Sequence, residues 1–225
     1  MSSTALVTGA NRGIGLELAR QLSGRGDSVI ATARDPESAR ELSALPVRVE
    51  RLDVSEQKSV SDLALRLRGS ALDLLIHNAG IGSAGPGLEG LEKEDLERYF
   101  AVNSIGPVIL THELLPNLRA GRGKKIVGIS SGLGSLEGNT SGGWYGYRAA
   151  KAALNMFIRT MAAELRPEGF ICVLMDPGWV RTDMGGAGAP TTPQESAGRM
   201  LKTMDRLSPS DTGRFLTSRG RDEPW

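Results

Sequence analysis

Cysteine and histidine are nearly missing from this chain of 225 residues: one thiol, Cys172, and two imidazoles, His77 and His112. One cysteine excludes a disulfide framework and a thiolate zinc site. Two histidines leave little for a histidine-built metal centre, so no metal is expected and all three residues are read as packing. Charge of either sign is also without excess: 27 Lys and Arg against 26 Asp and Glu give a formal net charge of +1. A nucleic-acid partner would call for a basic stripe, so none is expected. No apolar run approaches the roughly 18 residues of a membrane span. The opening Met1-Ser2-Ser3-Thr4 puts no basic stretch ahead of its apolar residues, so no signal peptide is expected either. The expectation is a cytoplasmic globular protein. Against a prior of about 150 residues per domain, one domain over 1–225 is favoured over two. Glycine is what the chain has in plenty. Its 29 residues are nearly double the usual share of about 7%, with no strict period.

Short β-branched runs alternate with helical patterns. Ala5–Thr8, Val29–Ala33, Val47 with Val49, Leu72–Ile76, Lys125–Ile129, Phe170–Met175 and Arg214–Leu216 are expected strands. Ile14, Leu18 and Leu22 repeat at i, i+4, i+8, one face of a helix. A second helical run spans Glu92 to Leu118, with a break expected at Pro107. A third spans Gly146 to Arg166. Nearly continuous apolar strands separated by helices predict a parallel sheet of about seven strands covered on both faces, a doubly wound α/β Rossmann fold. Such folds bind ligands beyond the carboxyl ends of the strands, where the glycine-rich segments of this sequence fall.

Between the first strand and first helix lies Thr8-Gly9-Ala10-Asn11-Arg12-Gly13-Ile14-Gly15. Glycines here permit a tight turn and let a phosphate approach backbone N–H groups at a helix N-terminus. The octet resembles the T-G-x-x-x-G-[IV]-G element of the short-chain dehydrogenase/reductase family, and the resemblance continues along the chain. Asn78-Ala79-Gly80 resembles that family's N-A-G. Asn103 matches its helical asparagine and Ser130-Ser131 its serine. Tyr147-Arg148-Ala149-Ala150-Lys151 is similar to its Y-x-x-x-K, and Pro177-Gly178-Trp179-Val180-Arg181-Thr182 to its P-G-x-V-x-T. The segment from Gly138 to Arg148 and the stretch from Asp211 to Trp225 resemble the branch that holds the C-factor and sniffer-type carbonyl reductases.

The chemistry of the pair is direct. Tyr147 and Lys151 share a helix face at i, i+4. A free phenol with a pKa near 10 is a poor acid at neutrality, and a neighbouring ammonium is expected to lower it. The resemblance implies Tyr147 as general acid/base, Lys151 tuning it and holding the nicotinamide ribose, Ser131 orienting the substrate oxygen, and Asn103 holding a water in a proton relay. Ser131 precedes Tyr147 by sixteen residues, about three more than is usual in the family. Ser130 and Ser135 therefore stay open as the serine partner. At the position before the lysine, Ala150 replaces the family's serine.

For the cofactor, the glycine turn (Gly9, Asn11, Arg12, Gly13, Ile14, Gly15) would cradle the pyrophosphate. A ribose-reading residue is expected about 20 residues further on, and Arg34 and Asp35 compete for it. Asp35-Pro36-Glu37 reads as an N-cap, an N1 proline and a first-turn acid. That leaves Arg34, with Arg12, to take a 2′-phosphate by its guanidinium fork. NADP (NADPH) is therefore expected, with NAD possible. The resemblance implies Asp53 and Val54 beside the adenine, Asn78, Ala79 and Gly80 behind the cofactor, and Pro177, Gly178, Val180 and Thr182 at the carboxamide. It also implies reduction of a small carbonyl compound to an alcohol, and a homodimer or homotetramer formed through helices near 94–118 and 147–166. A same-fold regulatory protein with little turnover is the alternative. Specificity is expected in 81–90, 132–144 and 184–193, with Trp144 and Trp179 flanking the site.

Overall fold

Ala5 and Val7 leave the first strand on one side and Leu6 on the other, and the two sides enter two different cores. That alternation of fully buried residues is what a sheet covered on both faces requires. A computed structural model describes residues 3–83 and 87–225 of the chain. Its strands are β1 (Thr4–Val7), β2 (Ser28–Ala33), β3 (Arg48–Arg51), β4 (Leu74–His77), β5 (Lys125–Ile129), β6 (Ile171–Asp176) and β7 (Phe215–Thr217). They form one parallel sheet in the order β3-β2-β1-β4-β5-β6-β7. The order reverses direction between β1 and β4, which makes that crevice the place for a ligand.

The helices are α1 (Gly13–Gly24), α2 (Arg40–Ser43), α3 (Gln57–Arg66), α4 (Lys93–Phe100), α5 (Gly106–Ala120), α6 (Tyr145–Leu165) and α7 (Pro193–Arg206). Helices α1 and α7 cover one face, where Leu18, Leu22, Met200 and Met204 pack on Ala5, Val127 and Val173. Helices α3, α5 and α6 cover the other, with Leu63, Leu110, Leu114, Leu154 and Ile158 over Leu6, Ile126 and Leu174. The doubly wound α/β expectation holds. Each expected strand is present, its ends within two residues of those expected and, for Lys125–Ile129, identical to them. Among the described residues no helix is long and apolar enough to cross a membrane.

Two local expectations are corrected. The break at Pro107 is a change of helix type. A five-residue π segment, Ala101–Ile105, joins α4 to α5, and Pro107 sits in the first turn of α5. Proline lacks the N–H that would close onto the carbonyl four residues back, here that of Asn103, so the ladder is re-registered just before it. Asp35 is not a helix cap. The chain turns at Pro36–Ser38, the Ser38 hydroxyl donates to the Asp35 carbonyl at 3.1 Å, and α2 begins only at Arg40, after an Ala39 that makes no side-chain cap.

Candidate active site

The glycine turn is stapled from the next strand over. Asn78 Nδ2 donates to the carbonyls of Thr8 at 2.9 Å and Gly9 at 3.0 Å, and the Thr8 hydroxyl accepts from the N–H groups of Asn78 and Ala79, each at 3.0 Å. Gly9 adopts φ +63°, and a Cβ there would lie 2.8 Å from Ala79 Cα. At Gly15 a Cβ would stand 2.3 Å from the Gly9 carbonyl oxygen. Gly9 thus lets the turn press against the segment after β4, and Gly15 lets α1 press against the turn, each as closely as backbone allows. Arg12 is the N-cap of α1 and its side chain makes no cap bond. The first-turn N–H groups are therefore not satisfied by a protein side chain, which suits an anionic ligand.

Around that turn the other expected cofactor residues fall into place unequally. Val54 is buried and Asp53 partly so, with Asp53 Oδ1 accepting from the Ser55 N–H at 3.0 Å and its hydroxyl at 2.6 Å. Val180 is buried beside Thr182, whose methyl carbon would lie 3.3 Å from a Cβ at Gly13, so the segment after Pro177-Gly178 faces the glycine turn. Arg12 pairs with Asp183, both side chains being largely exposed at 68% and 75%. Arg34 and Asp35 are exposed at the end of β2, and among the described residues neither side chain has an ion-pair partner. With the cap reading of Asp35 gone, the acid is as accessible as the arginine.

Tyr147, on α6, and Ser131, after β5, meet at the carboxyl ends of the strands. Tyr147 is only 7% exposed, and its hydroxyl lies close enough to that of Ser131 for Ser131 to favour the phenolate. Ser131 is the N-cap of the short turn Gly132–Gly134, its Oγ accepting from the Leu133 N–H at 3.1 Å, and this orients the hydroxyl. The other two serines are engaged elsewhere. Ser130 Oγ donates to Asn155 Oδ1 at 2.6 Å, and Ser135 Oγ donates to the Trp225 carbonyl at 3.0 Å. Trp144, left-handed at φ +57°, starts α6 and stacks edge-on to the Tyr147 ring at 5.6 Å.

Lys151 is buried one turn along α6, with Nζ donating to the Ile129 carbonyl at 2.7 Å and lying 5.8 Å from the centre of the Tyr147 ring. Burial brings its ammonium down to about 8. Burial also pushes the Tyr147 phenol up to about 12, against the neighbouring Ser131 hydroxyl and reinforced by the Asp176 carboxylate. The lowered phenol expected from the sequence is thus corrected: desolvation of the buried hydroxyl outweighs the lowering by the Ser131 hydroxyl.

Asn103 lies in the π segment. Its side chain closes two bonds with one residue: Nδ2 donates to the Ile81 carbonyl and Oδ1 accepts from the Ile81 N–H, both at 2.9 Å. A Cβ at Gly80 would touch Asn103 Oδ1 at 3.1 Å and Lys151 Nζ at 3.7 Å, so the backbone after β4 threads between them. Of the expected specificity segments, part of 81–90 falls on Ala84, Gly85 and Pro86, outside the described residues. Trp179 is 62% exposed, with Nε1 donating to the Gly185 carbonyl at 2.8 Å.

Two residues here escaped the sequence reading. Asn155, buried in α6, accepts from Ser130 and donates to the Gly134 carbonyl at 3.3 Å, bracing both sides of Ser131. Asp176 accepts from the Gly178 N–H at 3.1 Å and lies against Gly132, where a Cβ would stand 4.0 Å from its Oδ2, so the loop after β6 meets the serine loop there, and burial raises its pKa. Asn155 stands four residues after Lys151, the only signal available. His77 and Cys172 are packing residues as expected. His77 Nε2 bonds Thr111 at 2.8 Å while burial lowers its pKa to about 3, and burial pushes the Cys172 thiol up to about 12.

Comparison with known proteins matches residues 3–192 to the family of short chain dehydrogenases. The C-signal protein of Myxococcus xanthus is 44% identical over 154 residues, 68% of this chain and 93% of that protein. The NADPH-bound carbonyl reductase from chicken fatty liver superposes with a TM-score of 0.93 at 36% identity, covering 100% of this chain and 99% of the other. The carbonyl reductase Sniffer of D. melanogaster gives 0.94 at 31%, with both chains covered completely. The chain belongs to the short-chain dehydrogenase/reductase family of NAD(P)-dependent oxidoreductases.

Proposed function

We propose that the chain reduces a ketone or aldehyde to an alcohol with NADPH, Tyr147 acting as the general acid. The observation that carries this is one buried phenol, beside Ser131 and adjoined by the Lys151 ammonium, at the carboxyl ends of the central strands. When bound, NADPH supplies hydride to the carbonyl carbon. The residues of the chain do the rest. Ser131 and Tyr147 hydroxyls hold the carbonyl oxygen, and Tyr147 gives up its proton to that oxygen as charge builds there. A phenol near 12 keeps its proton until an alkoxide-like oxygen asks for it. Lys151 stabilises the phenolate left behind and, by the family pattern, holds the nicotinamide ribose. A relay water fits the main-chain carbonyl of Asn103 better than its side chain, which Ile81 occupies on both sides.

The residues fit NADPH. The uncapped start of α1 suits the pyrophosphate, and Arg34 and Arg12 suit a 2′-phosphate. Arg12 must leave Asp183, and an exposed pair worth about 0.2–1 kcal/mol gives way to a phosphate readily. Asp53, Val54, Asn78, Ala79, Gly80, Pro177, Gly178, Val180 and Thr182 complete the cradle in this reading. NAD is the weaker reading and rests on Asp35. Dimers or tetramers through the helices near 94–118 and 147–166 belong to the same proposal, since Ile105 and Met156 leave apolar surface there. A cytoplasmic location belongs to it also. The test is NADPH consumption with a panel of aldehydes, diketones and quinones. The likeness to C-signal favours a second reading, a regulatory protein, which predicts NADPH binding with no consumption.

A further inference from the structure

The stretch between Ser131 and Tyr147 is longer than the catalytic group needs, and its surplus roofs a cavity. This space of about 320 Å³ lies between the segment 133–143 and one face of α6. That face carries Tyr145, Arg148, Ala149 and Ala152, spaced i, i+3, i+4, i+7. Tyr147 and Lys151 project about a third of a turn away around the helix and do not line it.

We propose that this cavity is a second ligand site, for a small carboxylate on an apolar body. Arg148 is the anchor. Its Nη2 donates to Ser141 Oγ at 3.0 Å, while its Nε is buried without an acceptor. Among the described residues no carboxylate pairs with it. The guanidinium has no carboxylate beside it, and the Nη edge of its fork is matched by a bidentate carboxylate. No second cation lines the space, so a singly charged anion balances it and a doubly charged phosphate does not. Leu133, Leu136, Ala152 and the Tyr145 ring give the rest of the ligand an apolar wall, and Leu136 is 79% exposed as it stands. The site does not depend on the redox chemistry of the cleft beside it.

Calorimetric titration of the full chain with benzoate tests this, with benzyl alcohol and inorganic phosphate as comparisons. Benzoate is expected to bind one to one, R148Q to weaken it about tenfold or more, and benzyl alcohol to bind about tenfold more weakly. R148K keeps the charge and loses the fork. It is expected to weaken benzoate by a smaller factor and carries the test should R148Q fold poorly. Y147F is expected to leave benzoate affinity unchanged. Absence of benzoate binding at millimolar concentration overturns the site, as does equal affinity in R148Q or R148K. Equal binding of benzyl alcohol overturns the anionic anchor, and tighter binding of phosphate overturns the carboxylate. Loss of benzoate binding in Y147F moves the ligand into the catalytic cleft and overturns the proposal.

Discussion

The Lys151 ammonium stands 5.8 Å from the centre of the Tyr147 ring and spends one N–H on the Ile129 carbonyl at 2.7 Å. Both groups are buried, and burial favours the neutral form of each: about 12 for the phenol and about 8 for the ammonium. In this chain the lysine is the member of the pair that titrates within the working range.

A pH profile follows from that. Below about 8 Lys151 is protonated, and Tyr147 keeps its proton throughout. Carbonyl reduction is expected to hold level up to about pH 8 and then to fall toward tenfold per unit as the ammonium is lost. The check is kcat for NADPH-dependent reduction between pH 6 and 10, side by side with K151M. A profile rising through this range contradicts the assignment.

Serine choice gives a second prediction. S131A is expected to lower kcat about a hundredfold, within the range of a lost transition-state hydrogen bond, and S135A to leave the chemistry largely intact. Ser135 bonds the Trp225 carbonyl, away from the phenol. The reverse ranking in steady-state kinetics would displace Ser131.

Asn155 acts through Ser131 by holding Ser130 and Gly134. N155A is expected to reduce kcat about tenfold with KM and NADPH affinity unchanged, and to add little in an S131A background. An equal effect in both backgrounds would make Asn155 a stability residue only.

Arg34 gives the cofactor prediction. R34A is expected to weaken NADPH by about 2 kcal/mol, some thirtyfold, and NADH hardly at all. R12A should do the same to a smaller degree, since Arg12 gains a phosphate only by giving up Asp183. Fluorescence titration with both nucleotides decides it. Equal loss for both shifts the reading toward Asp35.

What the sequence disclosed, and what it hid, follows from how local each signal is. Gly9, Gly15 and the Tyr147–Lys151 spacing are legible because each solves a backbone or helix-face problem within a few residues, whereas Asn78, which acts across about 70 residues, is legible only through the motif it belongs to. Runs such as Val29–Ala33 and Ile171–Met175 announce a two-faced sheet by their continuous apolar character. The π segment at Asn103 was hidden because Pro107 marks a disturbance without specifying its type. Asp35-Pro36 has the composition of a helix start, yet the chain turns once more before Ala39 and Leu42 reach the core. Helix α7 was not foreseen, although Thr192, Pro193 and Glu195 form a complete capping box at its start. Asn155 and Asp176 act across loops brought together only by folding. The pKa of Tyr147 was misjudged because a sequence shows the neighbouring charge and conceals the desolvation.

The most direct measurement of the central claim is the rate of NADPH oxidation by wild type and Y147F with one carbonyl substrate, alongside their NADPH affinities. The account predicts a fall of about 10³-fold in turnover with nucleotide affinity unchanged, the size expected for removal of a general acid. Turnover by Y147F at the wild-type rate would contradict it.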